Sequence, residues 1–371
     1  MGCEMNLDAG IVNFGNMYRL KQVMKRAERG EKITIAFLGG SITQGCLSST
    51  PETCYAYLTY DWWVKKYPDA EFVYVNAGIG GTTSQFGVAR VDRDVLSTGP
   101  DLVFVEFSVN DDNTEFFKET YEGLIRHIWA DEKQPAIVLV HNVCYDTGNS
   151  AEEIHTQVGA HYELPSVSIK STVYALVESG VLTSRDVTED DLHPNDKGHA
   201  MIAEVLTYYL DKVDGEKEIN ESAMKTLPAP LTQNAYEHST CFQCKDCNPV
   251  CKGFTEDKRE KEYFTDNFKG GWYATEEGAE IVFQTEGSGI AIQYKKTVNK
   301  PAPIAEAIID GKEESPILLD ANFDEDWGDC LYIETVLCHG EKKNHQVKIR
   351  IKESHPEDKS EFYLLSLITS M

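Results

Sequence analysis

Four stretches of the sequence carry side chains suited to polar chemistry, each where an apolar run gives way to a turn. In ITIAFLGGSITQGC, Ile33–Leu38 is apolar or β-branched nearly throughout, as a strand covered on both faces would be. Gly39 and Gly40 then allow a sharp turn and a close backbone approach, leaving Ser41 at the carboxyl end of the strand, where open α/β sheets bind ligands. VNAGIGGTTS follows a second strand, and its glycines can expose backbone N–H groups at a helix start, a natural anion site. VEFSVND closes a third and carries the amide of Asn110. In TEDDLHPNDKGH, Pro194 keeps His193 out of helical geometry, and Asp190, three residues before it, can reach the imidazole N–H and orient a general base. Each stretch alone has an ordinary explanation: a glycine turn, a helix cap at Asn110, or one exposed member of 10 histidines. Their conjunction, in chain order along one sheet edge, is what points to a site. Ser41 is not in a G-x-S-x-G elbow, because Thr43 holds the last glycine position.

The elements that must position these residues alternate from Ile33 to about Val213. Strands are expected at Ile33–Leu38, Phe72–Asn76, Leu102–Phe107 and Ala136–His141, with a weaker fifth near Val167. Cys54–Tyr67 and Thr114–Ala130 have helical spacing, Thr50-Pro51-Glu52 resembles a helix start, and Asp196–Leu210 reads as a closing amphipathic helix. Asn6–Arg29 is expected to add an N-terminal helix. The pattern predicts a three-layer α/β/α domain over residues 1–214, with a mainly parallel sheet. Residues 215–240 are polar with two prolines and read as a linker. Residues 241–371 carry short alternating runs at Ala279–Gln284, Ile290–Tyr294, Ala305–Ile309, Cys330–Val336, His345–Ile351 and Phe362–Ile368, the grammar of an antiparallel β-sandwich.

A net charge of -26 over 371 residues argues against a polyphosphate partner such as nucleic acid, whose binding draws on Lys and Arg, and disfavours an anionic membrane surface. No apolar run is long enough to span a bilayer. The start, MGCEMNLDAGIVNF, lacks a basic segment followed by an apolar one, and Asn6 stands where a myristoylation signal wants Ser or Thr. The 10 cysteines are scattered, which suits reduced thiols and a cytoplasmic location. Cys241, Cys244, Cys247 and Cys251 have the C-x₂-C-x₂-C-x₃-C spacing of an iron–sulfur run, but Lys252 replaces the usual proline and no companion run exists. Four thiolates would also suffice for structural zinc. The reading adopted is a reduced-thiol loop, with no cofactor and no metal.

Taken together, GGSIT, NAGIGGTTS, SVND and DDLHPN resemble the four signature blocks of the SGNH hydrolases, also called GDSL-type esterases. Gly40 departs from the commoner Gly-Asp-Ser form, and the Gly-Gly-Ser variant resembles that of some carbohydrate esterases. Val109 replaces a frequent glycine and leaves the Asn in place. The resemblance covers Ile33 to about Leu210 and implies a flavodoxin-like sheet. It implies Ser41 as nucleophile, His193 as the base that activates it, and Asp190 as the residue orienting His193. It implies an oxyanion hole from the backbone N–H groups of Ser41 and Gly81 and the Asn110 side-chain amide. Asp191 competes with Asp190, and Gly78 or Gly80 replaces Gly81 if the turn is shifted.

The order of an SGNH domain and a β-sandwich is similar to carbohydrate esterase family 17, bacterial mannan O-acetylesterases whose second domain resembles a family-35 carbohydrate-binding module. That resemblance implies removal of 2-O-acetyl groups from mannose units of oligosaccharides. An accessory domain closing over the sugar would bring Trp327, in DANFDEDWGDC, to stack on a pyranose ring, although an acidic loop with one tryptophan is often only a solvated turn. Trp62 and Trp63 could also stack on sugar rings, but as neighbours in a helix they are expected in the core. The rival readings are a thioesterase or lysophospholipase and a non-catalytic carbohydrate binder. The sequence leaves the oligomeric state open.

Overall fold

The computed structural model describes residues 5–217, 226–263 and 265–371. The chain falls into two compact units, Met1–Asn234 and Ala235–Met371. The first is built on strands β1 (Ile11–Asn13), β2 (Lys32–Gly39), β3 (Glu71–Gly78), β4 (Leu102–Glu106), β5 (Ala136–His141) and β6 (Ser166–Ser168). They form one sheet in the order β1-β6-β5-β4-β2-β3, parallel except for β1, which runs antiparallel to β6. The helices are α1 (Tyr18–Glu28), α2 (Ser41–Gln44), α3 (Tyr55–Lys66), α4 (Ser84–Asp94), α5 (Glu115–Ala130), α6 (Glu152–His161), α7 (Ala175–Glu178) and α8 (Asp196–Gly215).

All of β4 and β5 is buried, as expected of central parallel strands covered on both faces. Ile33, Ile35, Phe37, Leu102, Phe104, Val138 and Val140 share one cluster with Leu20 and Met24 of α1, Tyr55 and Trp63 of α3, and Leu206 and Leu210 of α8. The alternate residues point to the other layer. Leu139 meets α6, where a Cβ at Gly159 would lie 2.9 Å from its Cδ1. Trp63 is buried and Trp62 partly so against Trp63 and Tyr67, so both belong to the packing.

The N-terminal helix expected over Asn6–Arg29 is shorter than its sequence suggests. Leu7–Gly10 forms a 3-10 turn, Ile11–Asn13 pairs with β6, and Gly15 at φ 65° turns the chain into α1. Thr50 caps a 3-10 turn at Pro51–Thr53 rather than the long helix, whose cap is Cys54. Helix α6 had not been expected, and α4 only as a helix start after NAGIGGTTS. Both are short, and Gly87 and Gly159 break the usual helical composition because close packing against Phe107 and Leu139 demands small residues there.

Part of the stretch read as a linker is held on the first unit. The Glu122 carboxylate on α5 accepts the Leu231 N–H at 2.6 Å, the Thr232 N–H at 2.8 Å, the Thr232 hydroxyl at 2.5 Å and the Tyr162 hydroxyl at 2.5 Å. Arg126 Nη1 donates to Pro228 O at 2.8 Å. Residues 218–225 of that stretch lie outside the described residues.

The second unit is a sandwich of two antiparallel sheets. Strands β7 (Thr240–Phe242), β8 (Val250–Lys252), β9 (Thr255–Glu256), β10 (Trp272–Ala274), β11 (Glu280–Gly287), β12 (Gly289–Lys296), β13 (Ile304–Ile309), β14 (Ile317–Asp320), β15 (Cys330–Leu337), β16 (Lys343–Glu353) and β17 (Phe362–Ser370) follow in order. One sheet runs β15-β12-β17-β10-β9 with β7 also on β17, and the other runs β14-β13-β16-β11-β8. Ile290, Ile292, Leu364 and Trp272 of the first sheet pack against Ile281, Phe283, Val347 and Ile349 of the second. Among the described residues no helix is long and apolar enough to cross a membrane.

Glu122→Ala removes an acceptor of several donors at once and is expected to destabilise the first unit by about 2 kcal/mol. The check is a lowered melting temperature together with limited proteolysis. Residues 226–234 should become the earliest cleavage region, and an unchanged cleavage pattern would contradict the tethering role.

Candidate active site

β2 ends at Gly39, and Ser41 opens the single helical turn α2, closed by Gly45 at φ 99°. Glycine at 39 is required by proximity: a Cβ there would lie 2.2 Å from Thr43 Oγ1 and 2.5 Å from Glu106 O. Ser41 is only 6% exposed, and its Oγ lies 2.8 Å from His193 Nε2. His193 Nδ1 lies 2.6 Å from Asp190 Oδ2. The other oxygen of Asp190 accepts the Leu192 N–H at 3.0 Å and the His193 N–H at 2.7 Å. Burial works to raise the Asp190 carboxyl, but hydrogen bonds from the His193 ring and from the His193 and Leu192 backbone outweigh it and hold it at about 2. The anion therefore accepts a hydrogen bond from Nδ1–H, which leaves the Nε2 lone pair facing the serine hydroxyl, the arrangement that makes a hydroxyl nucleophilic. Asp191 does not share this role. Its carboxylate pairs with Arg185 at 2.6 Å.

The donors around Ser41 can be told apart by what already occupies them. The Ser41 N–H begins a helical turn and has no intrahelical acceptor. Gly78 N–H is taken by Asn76 Oδ1 at 2.9 Å, and Gly80 N–H by Gln44 Oε1 at 2.7 Å. Gly81, exposed and at φ 68°, has no acceptor for its N–H among the described residues. Asn110 does not cap the following helix, since Thr114 does so through Phe117 N–H at 3.4 Å. The Asn110 amide lies against Gly40, its buried Oδ1 unpartnered, and a Cβ on residue 40 would approach that oxygen to 2.2 Å. Ser41, Gly81 and Asn110 thus offer donors of the kind that a developing oxyanion needs.

Several residues that support this site had not been singled out. Arg90 is buried on α4 and donates to Gly39 O at 3.1 Å and Ala77 O at 2.7 Å, tying the ends of β2 and β3, with Asp94 at 3.1 Å as its counterion. Glu106, buried at the end of β4, accepts the Ser108 N–H at 3.1 Å and hydroxyl at 3.0 Å, and burial pushes its carboxyl up to about 7. Asp111 and His155 form a second, fully buried pair at 3.1 Å. Burial disfavours charge on both, raising the Asp111 carboxyl to about 8 and lowering the His155 imidazole to about 3. Asp196, opening α8, accepts the Ser49 N–H at 2.8 Å and the Thr53 hydroxyl at 2.7 Å, fixing the His193 loop to the chain that follows Ser41. A Glu inside LVFVE was a visible signal, and Asp111 and Asp196 stand in the SVND and HPND stretches, whereas Arg90 and His155 sit in sequence that resembles ordinary helix surface.

In the second unit, Trp327 is 56% exposed, packs edge-on against Phe323 at 5.0 Å, and donates to Glu325 at 2.5 Å. The thiols of Cys244, Cys247 and Cys251 face the carbonyls of Asp257, Gln243 and Pro249. Among the described residues no group of three or more His, Cys, Asp or Glu side chains is placed to hold a metal ion.

Residues 37–201 match the model of the GDSL-like lipase/acylhydrolase family. A solved two-domain esterase (CEX) active on acetylated mannans is 53% identical over 99% of this chain and 99% of its own, with a TM-score of 0.98. The same esterase co-crystallised with mannopentaose gives 0.96 over 99% and 98% of the two chains. Thioesterase 1/protease 1/lysophospholipase L1 of Escherichia coli strain K12 is 25% identical, covering 54% of this chain and 96% of its own. The chain belongs to the GDSL-like, or SGNH, hydrolase family, and it is a carboxylic ester hydrolase.

Gly40→Ala tests the contact with Asn110. The added methyl displaces a side-chain amide and no backbone, so kcat on a small aryl acetate is expected to fall by about tenfold or more while the melting temperature changes little. Unchanged kcat in a folded variant would show that the amide need not lie against residue 40.

Proposed function

We propose that this enzyme removes O-acetyl groups, specifically 2-O-acetyl groups on mannose units, from acetylated mannan or glucomannan oligosaccharides. The chemistry rests on the hydrogen-bonded line Ser41–His193–Asp190 beside the unoccupied donors of Ser41, Gly81 and Asn110. The substrate class is supported by the 53% identity, along 99% of the chain, to an esterase active on acetylated mannans. Ser41 Oγ attacks the acetyl carbonyl as His193 Nε2 takes its proton. The oxyanion forms against the three donors, each worth about 3 kcal/mol in the transition state. Collapse expels the sugar alkoxide, which recovers the proton from His193 and leaves Ser41 acetylated. Water, deprotonated by His193, then releases acetate and regenerates the hydroxyl.

In this reading residues 1–214 are the catalytic domain, 215–240 connect, and 241–371 are an accessory domain resembling a carbohydrate-binding module. The exposed ring of Trp327 is its sugar-stacking residue. The reduced thiols of Cys46, Cys54, Cys144 and Cys330 suit a cytoplasmic enzyme. A second reading, an acyl thioesterase or lysophospholipase, is favoured by the bacterial relative at 25% identity.

Mass spectrometry of acetylated oligosaccharides before and after incubation tests the activity. Loss of acetyl groups from mannan oligomers is expected, and preference for long acyl chains would favour the second reading. Ser41→Ala and His193→Ala should each reduce turnover by at least about 10³-fold, and Asp190→Ala by less, because orientation is only part of the base's function. Turnover surviving in Ser41→Ala would remove the nucleophile assignment. Trp327→Ala should lower kcat/KM on acetylated oligosaccharides by about tenfold while sparing a small aryl acetate. Equal losses on both substrates, or none on either, would assign the ring to packing or bare surface.

A further inference from the structure

Gly81 and Asn110 sit on different turns, one leaving β3 and the other leaving β4, yet both must meet the same developing oxygen. Asp111 joins those turns. It directly follows Asn110, and the backbone N–H groups of both residues bond to Phe107 O, at 3.0 Å from Asn110 and 2.9 Å from Asp111, so the turn is closed. The Asp111 side chain reaches across to the other turn, where Oδ1 accepts the Ser84 N–H at 2.9 Å. Ser84 opens α4, three residues after Gly81. A helix start is normally capped locally, and Thr83 occupies the cap position of α4 but makes no capping bond with its side chain. The cap comes instead from the residue beside Asn110.

The second oxygen of Asp111 is also held. His155 Nε2 lies 3.1 Å from Oδ2, and the His155 ring is fully buried and stacked on Tyr121 of α5, with centroids 3.6 Å apart and planes 10° from parallel. The start of α6 is itself tied back to the Asn110 turn, because Ala151 N–H donates to Ser108 O at 2.7 Å and His155 N–H to Ala151 O at 3.1 Å. Ser84 is braced in turn by Thr120 of α5 at 2.7 Å. The side chains of Asp111, His155, Tyr121, Ser84 and Thr120 are all buried.

We propose that Asp111, fixed by His155, is a positioning residue that sets the Asn110 amide and the Gly81 N–H at the separation the oxyanion requires. The inference rests on the esterase reading of Ser41, Gly81 and Asn110. Because Asp111 acts through donors that matter in the transition state, its loss is felt in kcat rather than in KM.

The test uses the full-length protein and a small aryl acetate. Asp111→Ala is expected to lower kcat by about 30-fold with KM within about twofold of the parent. Asp111→Asn keeps an acceptor for the Ser84 N–H and should return kcat to within about threefold. In an Asn110→Ala background, Asp111→Ala should cost no more than about a further threefold, since one of the groups it positions is already gone. Losses that multiply in the double variant, or a kcat of Asp111→Ala within about twofold of the parent, would overturn the proposal. Should Asp111→Ala fail to fold, His155→Phe keeps a stacked ring without the hydrogen bond and is judged by the same criteria. Ser41→Ala separates the two ideas. Turnover surviving in that variant overturns the esterase reading, whereas an inactive Ser41→Ala with multiplying losses overturns the positioning role alone.

Discussion

The parallel register of β2 between β3 and β4 is the constraint on which the site depends. Gly39 lies opposite Gly78 on one side and Glu106 on the other, so three strands finish at one level and their turns leave the sheet side by side. The fit at that edge leaves no room for a side chain. A Cβ at Gly78 would lie 2.2 Å from Gln44 N, as close as one at Gly39 would come to Thr43 Oγ1. A slip of one residue along either pairing would reverse the faces of the strand and carry Ser41 away from its donors. Arg90, donating to Gly39 O at the end of β2 and to Ala77 O near the end of β3, holds the two strand ends together.

Much of this was legible in the sequence because the physics that produces it is local. Apolar runs such as Ile33–Leu38 and Ala136–His141 signal strands covered on both faces, and they are found at the expected positions. The spacing of Asp190 and His193 is itself the geometry of the pair, since the contact spans three residues. The approach of Ser41 to His193 was legible only through the blocks taken together, because it joins residues 152 apart.

What escaped the sequence is what depends on tertiary partners. Glu122 resembles an ordinary helix residue until Leu231 and Thr232 arrive to donate to it. His155 occupies the short helix α6 and is one histidine among 10, with nothing in its neighbours to announce Asp111. Ile11–Asn13 is a strand only because β6 offers an edge to pair with. The strands of the second unit were visible where they alternate over six residues or more, while Val250–Lys252 and Thr255–Glu256 are too short to carry a period.

The Asp190–His193 loop also bears on the order in which the molecule assembles. Asp190 accepts the backbone N–H groups of the two residues that follow Leu192's predecessor, Leu192 and His193, so acid and base can meet within one short loop before the sheet exists. The nucleophile joins them only when the chain has closed a loop of 152 residues, a contact that must await strand pairing. Hydrolytic activity during refolding therefore reports a long-range closure of the first unit and not the local pairing of acid and base.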